Sequence, residues 1–404
     1  RCPCRSARLL HRAPAARGFV ARGFVAMTQA VLLDVSSHVF DRSHPSLQRD
    51  RLGAVGDRVR GYDDRYDFAT FVYDCFWDSE AREVWLLCPR LLNFRTLLDD
   101  MSFAVDGTPH SRIKVENLSR GTAIRLKGLK SAPNEVRFDH PLATGTLRVN
   151  AEQFDLFKGT NAVFSINRNN RLEWVQDWLT YYHKVHGGTA AVLTDNASTD
   201  YSAQDLLDAM AAVDGMEAVC VIPAPFPFGP NAEGKANTDS LFLQRTMGEL
   251  CRKRLLGQAR AVLSVDIDEL FYSRSGQSIF DATVASEAGY IRADAEWVYA
   301  DPEQFHGPAR HRDHGFLSAT RNPQGKRIPK ANRKWCVDPQ GPQKGRQWLT
   351  HFLGSQKDPV DPDFTMLHFR QVSTSWKHDR SSSEGIALDP FPELQDLMAR
   401  TFDD

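Results

Sequence analysis

Three carboxylates follow an apolar run in the segment ARAVLSVDIDELFY, Ala259 to Tyr272. In an extended chain alternate residues share a face, so Asp266 and Asp268 are predicted to point the same way, about 6–7 Å apart, while Ile267 turns toward the core. Paired carboxylates are the hard oxygen donors that Mg²⁺ or Mn²⁺ binds together with water and phosphate oxygens. The motif therefore predicts a divalent-metal site; the alternative is that these side chains form a turn or a helix cap.

A second polar cluster follows the apolar run AAVLT, Ala190 to Thr194. Asp195 and Asn196 come directly after this run, and Ser198 stands where the next helix opens. Polar side chains at such strand ends can bind a nucleobase or a ribose, whereas a plain helix cap by Ser198 or Asp200 is the alternative. Two clusters of this kind in one sheet indicate a shared ligand-binding edge.

A strand–helix alternation after Phe154 positions both clusters. Short apolar runs, beginning with AVFSI at Ala162 to Ile166, alternate with stretches in which apolar residues recur at helical spacing. This alternation predicts an α/β domain with a mostly parallel, Rossmann-like sheet and helices on both faces. In such sheets ligands lie beyond the carboxyl ends of the strands, which is where the two polar clusters fall.

The chain before this domain has a different pattern. From about Tyr62 to Asn150, short runs with period-two alternation are separated by Gly, Asn and Pro, which is typical of antiparallel strands. We therefore predict a β-rich, sandwich-like N-terminal domain. The predicted boundaries are a basic leader at 1–26, a β-rich accessory domain at 27–158, the α/β domain at 159–380 and a C-terminal tail at 381–404.

Residues 1–26 are rich in Arg and Ala, contain no acidic residue and repeat ARGFV before Met27. This composition is typical of an organellar targeting peptide, but it also fits upstream sequence read through before a start at Met27. We favour the second interpretation, expect the segment to be disordered and leave it out of the predicted fold.

The overall composition excludes several classes of partner. Lys and Arg number 50 against 51 Asp and Glu, a net charge of −1, so neither nucleic acid nor an anionic membrane is expected as the main partner. Seven cysteines without a C-x-x-C pair predict neither a zinc site nor a disulfide framework. They fit the reducing cytoplasm, with peripheral membrane contact left open. No apolar run is long enough for a transmembrane helix, and the oligomeric state is not predicted.

The segment SINRNNRLEWVQDWLTYYHKVHGGTAAVLTDNASTDYSAQDLL, followed by LSVDIDELF, resembles a known family. It is similar to GT-A-fold glycosyltransferases of the family 2 type, and most closely to the family 92-like branch, the DUF23 relatives. The resemblance covers about residues 160–380. Asn170 and Asp177 depart from the pattern, since the branch has Glu at both positions. The matched elements K-N-E, E-W-L, Y-D-N-x-S-x-D and D-x-D-E-F correspond here to 167–170, 177–179, 195–200 and 266–271.

The resemblance implies transfer of a sugar from a nucleotide-sugar donor, a UDP-sugar in the first instance, to a glycan or glycoconjugate acceptor, with inversion. Mn²⁺ or Mg²⁺ would bridge the diphosphate, because negative charge grows on that leaving group as the glycosyl bond breaks. The implied metal ligands are Asp266, Asp268 and His368. The implied nucleotide-sugar-binding residues are Asn167, Arg168, Asp195, Asn196, Ser198, Asp266, Lys334 and Lys377.

An inverting transfer also needs a general base that takes the proton of the acceptor hydroxyl. Glu296 is the candidate, beside Trp297, whose ring could stack on a sugar; Asp294, Asp301 and Glu269 are its rivals. Glu296 and Asp268 thus form the predicted catalytic pair.

The segment from Arg310 to Arg346 holds ten basic residues against two aspartates, a net of 10 − 2 = +8. This local excess predicts either a surface that binds a diphosphate or an anionic acceptor, or a solvated loop.

Two alternative functions stay open. One is a nucleotidyltransferase or phosphohydrolase that uses the same carboxylates with a metal, although no Gly-rich phosphate loop ending in G-K-[ST] is present. The other is an inactive carbohydrate-binding protein, toward which Asn170 is the hint.

Overall fold

The computed structural model describes residues 28–230, 233–305, 307–318, 330–353, 360–372 and 386–403. In these ranges the strands are, in chain order, β1 (Gln29–Leu32), β2 (His38–Val39), β3 (Thr70–Val72), β4 (Asp74–Asp78), β5 (Glu83–Pro89), β6 (Ser102–Val105), β7 (Thr108–His110), β8 (Ile113–Leu118), β9 (Gly121–Lys127), β10 (Glu135–His140), β11 (Ala143–Arg148), β12 (Asn161–Asn167), β13 (Ala190–Asp195), β14 (Ala218–Pro223), β15 (Ala261–Ser264), β16 (Glu269–Ser273), β17 (Tyr290–Ala300), β18 (His314–Ser318), β19 (Lys334–Val337), β20 (Phe364–Phe369) and β21 (Leu388–Pro390). The α-helices are α1 (Tyr62–Arg65), α2 (Phe94–Leu97), α3 (Phe154–Phe157), α4 (Leu172–His186), α5 (Ala203–Ala211), α6 (Lys235–Asp239), α7 (Leu243–Leu250), α8 (Ile279–Ala285) and α9 (Pro392–Phe402).

The largest sheet has the strand order β1-β14-β13-β12-β15-β19-β17-β18-β21, with β20 pairing to β17 and β16 pairing to β20. Neighbours from β1 to β15 are parallel, as predicted. Beyond β15 most pairs are antiparallel, so the sheet is mixed rather than mostly parallel. The physical reason is that parallel neighbours need a crossover, usually a helix, and in the described ranges only α8 separates consecutive strands between β15 and β21.

Helices cover both faces of this sheet, as the sequence predicts. One face is covered by α4 and α5, whose buried residues include Trp178 and Met210. The opposite face is covered by α7, through Met247 and Leu250. Helix α4 ends at Gly187, whose left-handed φ of 68° is favourable only without a side chain.

The N-terminal half contains two four-stranded antiparallel sheets, β4-β5-β9-β8 and β11-β10-β6-β7. Leu86 and Ile124 of the first sheet share a buried cluster with Phe103, Val136 and Phe138 of the second. The two sheets therefore pack as a sandwich-like body around one apolar core.

Two short segments cross the predicted domain boundaries. Strand β1, predicted in the β-rich domain, pairs with β14 at the edge of the large sheet. The segment predicted as a C-terminal tail supplies β21, which pairs with β18, and α9, whose Leu394 and Met398 are buried against the α/β domain. A pairing between segments so distant in sequence leaves no local signal.

Two expectations drawn from composition can be compared with the structure. Within the described part of the chain, every helix is too short or too polar to cross a bilayer. The cysteines described there are unpaired and buried, and burial raises the pKa of each of their thiols. Buried thiols with raised pKa values are poorly reactive.

The buried His186, at the end of α4, is expected to make the free energy of unfolding decrease in acid. Its Nδ1 accepts from the Ile279 N–H at 3.2 Å and its Nε2 lies 2.7 Å from the Phe271 carbonyl oxygen, so the neutral ring fits. Burial lowers the pKa of His186 to about 4, against about 6.5 in an unfolded chain. The contribution of His186 to stability is therefore present above pH 6.5 and is lost as the pH falls toward 4.

Between pH 7 and pH 4, we expect the unfolding free energy of the wild type to fall by about 2–3 kcal/mol more than that of His186→Gln. Urea unfolding at the two pH values measures this difference. Equal losses in the two proteins would contradict it.

Candidate functional site

The acidic turn lies between β15 and β16, at the carboxyl end of the parallel strands. Val265 and Ile267 are buried in the core of the α/β domain, as predicted for Ile267, while the side chains of Asp266 and Asp268 keep 35 % and 17 % of their surface exposed. Glu269 closes the turn, because its Oε2 accepts from the Asp266 N–H at 2.7 Å. The sequence alternation thus orients the aspartates outward.

Asp268, Glu269 and His368 form a group in which ligand atoms lie within 4.8 Å of one another. The antiparallel register of β16 and β20 creates this group, because it places His368 opposite Glu269. His368 Nε2 lies 2.9 Å from Asp268 Oδ2, and His368 Nδ1 lies 3.7 Å from Glu269 Oε1. The His368 ring also stacks on Trp297, with ring centroids 4.2 Å apart.

This donor set fits a divalent cation. Asp268 Oδ2 and His368 Nε2 share a hydrogen bond of 2.9 Å here, and two ligand atoms on neighbouring corners of an octahedral ion with bonds near 2.1 Å would also lie about 3 Å apart. A carboxylate near the second ring nitrogen, as Glu269 is here, commonly orients a metal-binding histidine. Carboxylates suit both Mg²⁺ and Mn²⁺, whereas the imidazole favours Mn²⁺, because Mg²⁺ prefers oxygen ligands.

Lys334 lies beside this group and is 1 % exposed. Its Nζ is 2.9 Å from Asp266 Oδ2 and 3.0 Å from Glu269 Oε2. Burial alone would lower the pKa of Lys334, but the two carboxylates outweigh burial and raise it. Lys334, predicted to bind the donor, therefore neutralises two carboxylates inside the protein.

Asp266 is also paired within the protein. Besides Lys334, it lies 3.4 Å from the Ser165 hydroxyl, which donates to Oδ1. The second carboxylate of the candidate metal group is therefore that of Glu269, where the sequence predicted Asp266. Burial raises the pKa of Glu269 to about 7, against the lowering effect of Lys334.

The second predicted cluster lies where β12 and β13 end. The parallel register pairs Asn167 with Asp195. Asp195 is 5 % exposed, and its carboxylate accepts from the Asn167 amide at 2.7 Å and from the hydroxyl and the backbone N–H of Ser198 at 2.6 and 3.1 Å. These side chains therefore hold the strand ends together, and their predicted contact with a nucleotide stays a prediction.

The neighbours of this cluster differ in exposure. Asn196 is 1 % exposed and its amide donates to the carbonyl oxygens of Ala224 and Phe226, both at 2.8 Å. Its buried Oδ1 has no hydrogen-bond partner among the described residues. Arg168 follows Asn167 in the turn after β12 and is half-buried. Asn196 thus fixes the loop after β14.

The structure brings Asp195 and Asp266 to one edge of the sheet, because β13, β12 and β15 are adjacent and parallel. Glu296 does not join them. In the register of β17 and β20 it is Trp297 that stands opposite His368, so Glu296 points to the other face of the sheet, where Lys330 lies 3.5 Å away. Lys377 lies outside the described residues.

The basic segment is not an open cationic surface in its described part. Lys330 and Arg333 pair with Asp294, and Arg310 forms a two-pronged ion pair with the buried Asp177 of α4. Asp177, a departure from the family pattern, thus anchors the chain before β18. Such pairing leaves little free charge for a diphosphate on these residues.

Reasoning from sequence missed Glu269 as a metal-binding candidate and Lys334 as a structural cation. Glu269 was considered only as a rival base. The signal for Glu269 is its position directly after the D-x-D motif. Glu269 begins the new strand β16, and this change of strand alters the face on which its side chain lies.

No protein-family model matches the chain, and no curated protein matches it. Among solved structures, the mannosyltransferase Ktr4p from S. cerevisiae is similar with a TM-score of 0.23 at 12 % identity, over 39 % of this chain and 46 % of that chain. Its complex with GDP gives 0.24 at 11 % over the same shares. HddC from Yersinia pseudotuberculosis gives 0.26 at 8 %, over 60 % of this chain and 98 % of that chain. This chain thus spans about half of Ktr4p, and similarity of this extent carries no functional conclusion.

Proposed function

We propose that the chain is a metal-dependent glycosyltransferase that moves a sugar from a nucleotide-sugar donor to a glycan or glycoconjugate acceptor. The observation that carries this proposal is the group formed by Asp268, Glu269 and His368 at the carboxyl end of parallel strands. The resemblance of the flanking sequence to the family 92-like branch supports it. A UDP-sugar is the first donor to test.

In this proposal Asp268 and His368 hold the cation, Mn²⁺ in preference to Mg²⁺. When bound, the cation supplies positive charge that stabilises the diphosphate as it leaves the sugar. Trp297 stacks on the His368 ring and, with Glu269 on the other side, fixes its orientation. Lys334 balances the charge of Asp266 and Glu269. Asp268 has the most exposed side chain of the candidate metal group.

The donor would bind across the ends of β12 and β13, where Asn167 and Asp195 lie. Their hydrogen-bonded arrangement is rigid, which is favourable for a binding surface because little side-chain freedom remains to be lost. Glu296 is not proposed as the general base, since it faces away from Asp268 across the sheet.

The experiment is incubation of the protein with nucleotide sugars, Mn²⁺ and a glycan panel, with release of nucleoside diphosphate and labelled sugar product as readouts. Joint release and transfer are expected. Release of phosphate or pyrophosphate without sugar transfer would favour a nucleotidyltransferase or phosphohydrolase. Glycan binding without turnover of any donor would favour an inactive carbohydrate-binding protein. Either of these results would contradict the proposal.

Metal preference gives a separate prediction. Because one donor is an imidazole nitrogen, we expect Mn²⁺ to bind at least about tenfold more tightly than Mg²⁺ in calorimetric titrations. His368→Asn should reduce this ratio, since the substituted side chain offers an oxygen in place of the ring. Equal affinities in the wild type would argue against His368 as a ligand.

A further inference from the structure

An open cavity of about 760 Å³ lies between the β-rich domain and the start of α7. It is lined by residues that follow β5, by the turn between β8 and β9, and by α6. Five basic side chains and one acidic side chain contribute to its lining, and they are Arg90, Arg95, Arg120, Lys235, Arg245 and Asp239.

The single carboxylate does not balance this charge. Asp239 lies 2.6 Å from Lys235 and 3.6 Å from Arg120. Arg90, Arg95 and Arg245 have no ion pair among the described residues, by contrast with the basic segment before β19. Charge of one sign is therefore concentrated in a concave surface, where it favours an anionic ligand.

Arg120 and Arg245 are the inner members of this basic cavity. The Arg120 side chain is 19 % exposed. Arg245 donates from Nη1 to the Ser119 hydroxyl at 2.5 Å, and its buried Nε has no hydrogen-bond partner among the described residues. Burial, together with the nearby Arg120, lowers the pKa of Arg245 to about 10, against the raising effect of Asp239. Holding two such guanidinium groups together costs free energy that a bound anion would offset.

The backbone at Arg120 has a conformation that favours glycine. Its φ of 63° lies in the left-handed region, which is sterically unfavourable for an Arg. Gly or Asn would be preferred at such a turn on backbone grounds alone. The turn thus carries an arginine side chain into the cavity in spite of the backbone cost.

We propose that this basic cavity binds a phosphate group carried by the sugar acceptor. One guanidinium group can donate two parallel hydrogen bonds to two oxygens of a phosphate, and Arg is the residue best suited to this geometry. Helix α7 contributes to both regions, because Arg245 lines the basic cavity and the preceding Gln244 lines a cleft together with Asp266. The accessory domain then has a role in substrate selection. The acceptor part of this inference rests on the proposed function.

The test is calorimetric titration of the full chain, in metal-free buffer, with inorganic pyrophosphate, glucose 1-phosphate and glucose. We expect both phosphate compounds to bind and glucose not to bind. The double variant Arg120→Gln/Arg245→Gln should bind each at least about tenfold more weakly, since each charged hydrogen bond lost is worth about 1.5 kcal/mol or more. The matched control is Arg137→Gln/Arg148→Gln, because these two arginines of the β-rich domain are 58 % and 64 % exposed and do not line the cavity.

The outcomes separate the two proposals. Equal affinities in the wild type and the Arg120/Arg245 variant would overturn the phosphate site, as would equal weakening in the control. Binding of pyrophosphate without glucose 1-phosphate would overturn the acceptor assignment. Asp268→Asn should bind both phosphates as the wild type does, which shows that the readout is independent of the candidate metal site. If phosphate binding behaves as expected but no donor is turned over, the cavity stands and the proposed function fails.

Discussion

Asp268→Asn is expected to reduce metal-dependent sugar transfer by about 10²–10³-fold while leaving the fold unchanged. The physical reason is that Asn keeps the size of the side chain but removes the negative charge that would hold the cation beside His368, whose Nε2 lies 2.9 Å from Asp268 Oδ2. Initial rates of nucleoside diphosphate release at saturating Mn²⁺ measure the effect, and circular dichroism checks the fold.

The matched control is Asp208→Asn, which changes an exposed aspartate on α5 whose bond is to Gln204 one turn away. This variant should retain the wild-type rate. If both variants transfer sugar at the wild-type rate, Asp268 does not belong to the site.

Lys334→Met is expected to destabilise the fold by about 3–5 kcal/mol, because removing the cation leaves Asp266 and Glu269 close together without a counter-charge. Guanidinium chloride unfolding at pH 7 measures the loss. A second change, Glu269→Gln, made in the Lys334→Met background should restore part of the lost stability, since a neutral amide at this buried position needs neither the counter-charge of Lys334 nor a bound proton.

The control for this prediction is Lys344→Met. Lys344 is 48 % exposed and lies 3.2 Å from Glu80, so its loss should cost about 0–1 kcal/mol. Similar losses for the two lysine variants would show that Lys334 is not the buried counter-charge that its distances indicate.

Local pattern was sufficient to predict the parts of the fold that depend on neighbouring residues. Alternation through Val265 to Asp268 predicted which side chains point outward, and apolar residues at helical spacing predicted that helices alternate with the first strands of the α/β domain. The shared edge of Asp195 and Asp266 followed from the rule that parallel strands end together.

The remaining features depend on pairings between distant segments. The side of the sheet on which Glu296 lies is decided by the register of β17 against β20, and a shift of one residue would reverse it. The same holds for Glu269 opposite His368 and for Lys334 beneath the acidic turn. Strand β1 forms the edge of the large sheet and pairs with residues of β14 that lie 189 positions later in the chain, so no local pattern could place it there.

Binding of a divalent cation by Asp268 and His368 is the central claim, and anomalous diffraction from crystals grown with Mn²⁺ and UDP tests it most directly. The account predicts one manganese peak at about 2.1–2.3 Å from a carboxylate oxygen of Asp268 and from His368 Nε2, in contact with the diphosphate. A diphosphate bound with its manganese away from these two side chains would contradict the account.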